Sequence, residues 1–110
     1  MAHIDKADLR AGNFVHNNGR VLRTINILRT KYNKLVAVER VLQEDGISED
    51  EFLDAVYFLT DEGYIKLRLI STKEEVPDIA DNDYRILEAK LTAKGIRLLA
   101  GGIEDNMIEV

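Results

Sequence analysis

The chain has no cysteine, which removes disulfides, iron–sulfur clusters and thiol nucleophiles and fits a reducing compartment. Histidine is scarce as well. His3 and His16 are the only imidazoles, thirteen positions apart in an irregular stretch. His3, Asp5 and Asp8 do not make a closed ligand set of the usual spacing, so no metal site is expected. The serines are Ser48 and Ser71; one reads as a helix cap, the other as a loop residue, and neither has a base beside it. No glycine-rich phosphate loop opens a helix. These absences point away from an enzyme, and neither a cofactor nor a small-molecule substrate is expected. Tryptophan is missing, Pro77 is the one proline, and no apolar run is long enough to span a bilayer. The opening MAHIDKADLR lacks the apolar centre of a signal peptide. The expectation is a cytoplasmic protein without a membrane partner.

What is present suits one small domain: 110 residues, 45% hydrophobic and 32% charged, enough for a single modest core. The net charge of -5 hides an asymmetry. Residues 1–40 carry eight Lys or Arg against three acids, and residues 41–110 carry seven against seventeen. A chain polarised in this way presents a positive and a larger negative patch, if its halves occupy different surfaces.

Along the chain, residues 1–18 read as a polar N-terminal arm with a short helix around Lys6–Ala11. Asn17-Asn18-Gly19 is a turn signal. Val21, Ile25, Leu28 and Tyr32 then recur at helical spacing, predicting a first helix over Arg20–Tyr32. A second helix is expected from Lys34 to Glu44 on Leu35, Val38, Val41 and Leu42, although Leu35–Val38 also fits a short strand. Asp45-Gly46 stops it.

The third helix has the clearest start. Ser48 and Glu51 make a capping box, with Ile47 placed to staple onto Phe52. Phe52, Ala55, Val56 and Leu59 form its inner stripe. After Gly63, the alternation of Ile65, Leu67 and Leu69 with Lys66 and Arg68 predicts a strand with one buried face. A polar loop over Ser71–Asp83 follows. Tyr84–Leu91 alternates again, with a slip near Leu87-Glu88 that reads as a bulge. Thr92 caps a final helix over Ala93–Ala100 with Ile96 and Leu99 inward. Residues 102–110 are an acidic tail, expected to dock on a partner or to fray.

Three helices, a hairpin and a closing helix give an α+β chain that resembles the winged-helix class of helix-turn-helix domains. On this reading a three-helix bundle carries a two-stranded β-hairpin wing and a C-terminal helix, over residues 19–101. Two segments carry the likeness: Phe58-Leu59-x-x-Glu62-Gly63-Tyr64-Ile65, and Leu91-Thr92-x-Lys94-Gly95-x-x-Leu98-Leu99. EDEFLDAVYFLTDEGYI (Glu49–Ile65), followed by a wing and LTAKG, is similar to the small prophage-borne YjcQ-type winged-helix proteins of bacteria. That resemblance implies a compact module without a catalytic role. In the wider class it implies a third helix entering the major groove.

This third helix is charged against that role. Glu49–Ile65 holds six acids and no base. Its outward face carries Asp50, Asp54, Tyr57, Phe58 and Asp61, while affinity for phosphate rests chiefly on Lys and Arg. Base reading leans on Arg, Lys, Asn and Gln, none of which lies between Glu49 and Glu62. At the wing tip Lys73 stands against Glu74, Glu75, Asp78, Asp81 and Asp83. Aromatics among acids suit a protein partner, unless Tyr57 or Phe58 packs beneath the arm or the wing.

The leading expectation is therefore a non-enzymatic winged-helix module of phage or mobile-element type. It acts through protein–protein contacts of the acidic third helix and wing, or through homo-oligomer formation. The competing expectation is a DNA-binding transcriptional regulator using the basic N-terminal half: Arg20, Arg23, Arg29, Lys31, Lys34 and Arg40. Against that stands an exposed helix face whose charges pair weakly with neighbouring acids.

Overall fold

A computed structural model describes residues 6–28, 30–80 and 82–110, with side chains from residue 13 onward. Among these residues the chain is α+β, with four α-helices and a four-stranded antiparallel sheet. The helices are α1 (Lys6–Ile25), α2 (Leu35–Glu44), α3 (Glu49–Asp61) and α4 (Ala93–Leu99). The strands are β1 (Asn33–Lys34), β2 (Ile65–Leu69), β3 (Glu75–Val76) and β4 (Leu87–Leu91), in the order β1-β4-β2-β3. No helix among the described residues is long and apolar enough to cross a membrane.

The largest departure from the sequence reading is α1. Asn17-Asn18-Gly19 is not a turn: it lies inside one continuous helix of 20 residues. The reason is tertiary. The Asn17 amide donates to Glu51 Oε2 of α3 at 3.0 Å, and the Asn18 amide donates to the Met107 carbonyl at 3.0 Å. Gly19 leaves room for the C-terminal segment: a Cβ there would stand 1.7 Å from the Glu109 carbonyl oxygen. Three residues that favour turns in isolation are held helical by what packs on them.

The tail does not fray. Ile108 is buried, the Glu109 amide donates to the Val15 carbonyl at 3.1 Å, and the Tyr64 hydroxyl donates to Asp105 Oδ2. Burial, then that carboxylate, pushes Tyr64 up to about 12.

The first helix also ends early. After Ile25 the chain passes into a 3-10 turn, Asn26–Leu28, and the Asn33 amide donates to the Ile25 carbonyl at 2.9 Å. Leu28, expected inward, is exposed as a result, and so is Val41 on α2. α2 and α3 follow the sequence reading, including the reciprocal Ser48–Glu51 capping box. Phe52, Ala55, Val56 and Leu59 of α3 are fully buried, with Leu22, Ile25, Leu35 and Leu42 from the other two helices.

The sheet is larger than a two-stranded hairpin. β2 and β4 pair over five residues each, from Ile65↔Leu91 to Leu69↔Leu87. β1 adds beside β4, and β3 folds back onto β2 with Leu67↔Val76. The slip near Leu87 is a 3-10 turn, Tyr84–Ile86, rather than a bulge. On α4, Leu98 is buried while Ile96, expected inward, is exposed.

The two segments that carried the resemblance are locked to each other. The Thr92 hydroxyl donates to the Gly63 carbonyl at 2.6 Å, the Thr92 amide to the Tyr64 carbonyl at 3.0 Å, and Lys94 Nζ to the Glu62 carbonyl at 2.9 Å. A Cβ on Gly95 would lie 2.3 Å from the Tyr64 carbonyl oxygen. Their residue types therefore have a structural cause: one joint, satisfied from both sides, ties the end of α3 to the start of α4.

Candidate protein interface

α3 positions the acidic surface. Its N-terminus is fixed by Ser48, and the acids Glu49, Asp50 and Glu51 occupy the first turn, where the helix dipole favours negative charge. Glu51 is drawn into the structure. The Ser48 amide, then the Asn17 and Ser48 side chains, hold its carboxyl below the usual range.

The remaining acids face outward. Asp50, Asp54, Tyr57 and Asp61 fall at steps of four, three and four, one continuous helical stripe, and all four are exposed. Tyr57 is 49% exposed, a large aromatic surface framed by carboxylates. Phe58 does not share the stripe. It is half-buried and meets Phe14 of α1 edge-on, the ring centroids 5.2 Å apart. Beside this pair a shallow groove of about 160 Å³ runs between α1 and α3, lined by Asn13, Phe14, Asn17, Glu51 and Asp54.

The basic candidates that the structure describes come from α1, from the stretch around β1 and from α2. Arg20 is ion-paired with Asp45. Arg23 is exposed, beside His16 and the chain end at Glu109–Val110. Lys31 precedes β1, Lys34 lies on it, and Arg40 is on α2, all exposed. Arg29 and Asp81 lie outside the described residues, as do His3 and Asp5; the side chain of Asp8 does as well.

A second charged surface joins Lys34, from the basic half, to cations from the half that the charge count marks as acidic. Pairing places Lys34, Glu88, Arg68 and Glu75 in one row across the sheet, and Lys90 and Lys66 in the next, on the face away from the core. Glu88 is buried there. Arg68 Nε donates to its carboxylate at 2.6 Å and Lys73 Nζ at 3.1 Å. Burial opposes the charged form of Glu88, but these two cations outweigh it and hold the carboxyl below its ordinary value.

Lys73 reaches this site from a left-handed backbone position, φ 66°, a conformation that costs a non-glycine residue about 1–2 kcal/mol. The Arg68 guanidinium also lies 3.6 Å from the centre of the Tyr32 ring, with Lys90 Nζ at 5.9 Å. The sequence signal for this face was the Lys66/Arg68 alternation. The contribution of Lys34 and Lys90 needed the strand order. No family model matches the chain, and no curated protein or solved structure matches it.

Proposed function

We propose that the protein is a non-enzymatic winged-helix module of phage or mobile-element type, working in the cytoplasm through protein–protein contacts of α3 and the wing. The order of three helices, hairpin and closing helix, and the α3–α4 joint, support the winged-helix assignment. The observation that carries the function is the exposed stripe Asp50–Asp54–Tyr57–Asp61. It offers an aromatic anchor and three carboxylates where a polyanion would require cations.

Asp54→Lys and Tyr57→Ala should each abolish capture of the partner, whether another protein or a second copy, while leaving the fold intact by circular dichroism. Unchanged capture by both variants, with a strict monomer in sedimentation at high concentration, defeats this reading.

The exposure of Lys31, Lys34 and Arg40 favours one competitor, a DNA-binding regulator using the basic N-terminal half. It requires a shift of mixed duplex DNA at low salt that weakens steeply as salt rises. No shift at low salt removes it.

A further inference from the structure

The stripe on α3 cannot pair with itself. Two copies apposed through Asp50, Asp54 and Asp61 would bring like charges together, which destabilises an interface. A second copy must therefore offer a different face, and the outer face of the sheet gathers Lys34, Lys66 and Lys90 on one surface. Among its cations, Arg68 and Lys73 are committed to Glu88. Lys66 has only a long contact with Glu75, 3.9 Å between solvent-exposed groups, and such surface pairs contribute little. Lys34 and Lys90 have no hydrogen-bonded acid among the described residues.

The dimensions agree. Asp54 and Asp61 are seven residues apart on a helix, about 10 Å along its axis. Lys34 on β1 and Lys66 on β2 flank β4 and are offset by two residues, which puts them roughly 12 Å apart. Lys90 lies beside Lys66 in register, which places a cation within reach of the Tyr57 ring when the stripe is laid across the strands. Asp61 adds a further reason. It sits in the last turn of α3, where the helix dipole disfavours an acid; Lys94 Nζ already meets the Glu62 carbonyl at that end, and a lysine from a second copy would offset the Asp61 charge itself. Glu75 and Glu88 interrupt the cations, an arrangement suited to discrete carboxylates and poorly suited to an unbroken row of phosphates.

We propose that the α3 stripe of one copy docks on the outer sheet face of the next, giving head-to-tail assembly held by Lys34, Lys66 and Lys90 against Asp50, Asp54 and Asp61. This rests on the reading of α3 as a protein-contact helix and names its partner. Because the two faces differ, the contact is heterologous and builds rings or open chains rather than a closed twofold dimer.

Two charge-reversed proteins test it by sedimentation velocity. D54K/D61K keeps only the sheet face, and K66E/K90E keeps only the stripe. The unmodified chain should associate at low salt and dissociate to 12.5 kDa monomers at high salt. Each variant alone should bind itself at least roughly tenfold more weakly. Mixed in equal amounts, they should form a dimer and nothing larger, since each supplies one intact face. K66Q/K90Q, folded by circular dichroism, should show the same loss without charge reversal.

Three results overturn the proposal: an unmodified chain that stays monomeric at low salt, a K66E/K90E or K66Q/K90Q protein that associates like the unmodified chain, or a mixture that remains monomeric. If the chain is monomeric while K66E/K90E alone loses a low-salt shift of labelled duplex, the sheet face serves nucleic acid and self-assembly is overturned. None of these results by itself removes the protein-contact role of α3, which falls only if Asp54→Lys and Tyr57→Ala leave capture unchanged and the chain is a strict monomer at high concentration.

Discussion

Two polar regions of this molecule have opposite fates. In the middle of α1, Asn17, Asn18 and Gly19 are buried, their amides engaged by Glu51 and Met107 and their backbone covered by the C-terminal segment. On α3, Asp50, Asp54, Tyr57 and Asp61 stay in the open. Glu88 belongs with the first region: a buried carboxylate that carries its own cations. Polarity alone does not separate the two groups. Asn17, Asn18 and Glu88 are buried where a partner meets at least one polar atom of each, and the outward acids of α3 have no such partner among the described residues.

The largest expected effect is at Gly19. Glycine inside a helix is normally worse than alanine by about 1 kcal/mol, so Gly19→Ala would stabilise a free helix. Here the added Cβ meets the Glu109 carbonyl, and the variant should lose about 2–3 kcal/mol in urea denaturation. In a chain ending at Gly102 the sign should reverse, to a gain of about 1 kcal/mol. The same sign in both backgrounds would break the contrast drawn above.

Next is Glu88→Gln. The carboxyl is held below its ordinary value of 4.5. Its contribution is therefore complete above that value and is lost as pH falls through the lower folded-state value. The variant should be less stable near neutrality by about 2 kcal/mol, and its denaturation midpoint should fall less steeply on acidification than that of the unmodified chain. Parallel pH profiles would mean that the Arg68 and Lys73 contacts do not favour the ionised form.

Asn18→Ala should cost about 1–2 kcal/mol, since it leaves the Met107 carbonyl without its donor, and hydrogen exchange should speed up at Ile108 and Glu109. Asp54→Asn should change stability by less than about 0.5 kcal/mol while weakening association at low salt. A stability loss of the size expected at Asn18 would show the stripe to be part of the fold.

Much of the fold was legible in the sequence because its signals are local. The Ser48–Glu51 box, the Phe52–Leu59 stripe, the Ile65–Leu69 alternation and Thr92 as a cap each act within one turn or strand, and each is found where its spacing puts it. The first helix was misread because Asn-Asn-Gly is a strong local turn signal, and the contacts that override it come from 34 and 89 residues away. β3 was missed because a two-residue strand has no periodicity to detect. For the candidate site, the exposed stripe could be read from helical spacing alone. The Phe14–Phe58 contact could not, since nothing in an irregular-looking stretch marks Phe14 as helical.

The sequence by itself determined where three of the helices and the two main strands lie, and it determined that α3 carries acids on its outer side. Chain-local geometry sets those features, and no distant residue is required to specify them. Tertiary structure decided which polar residues are buried. It folded the tail onto α1, and it gathered Lys34, Lys66 and Lys90 from separate strands onto one face. Both outcomes depend on which segments become neighbours, a property of the whole packed core that no single window of sequence contains.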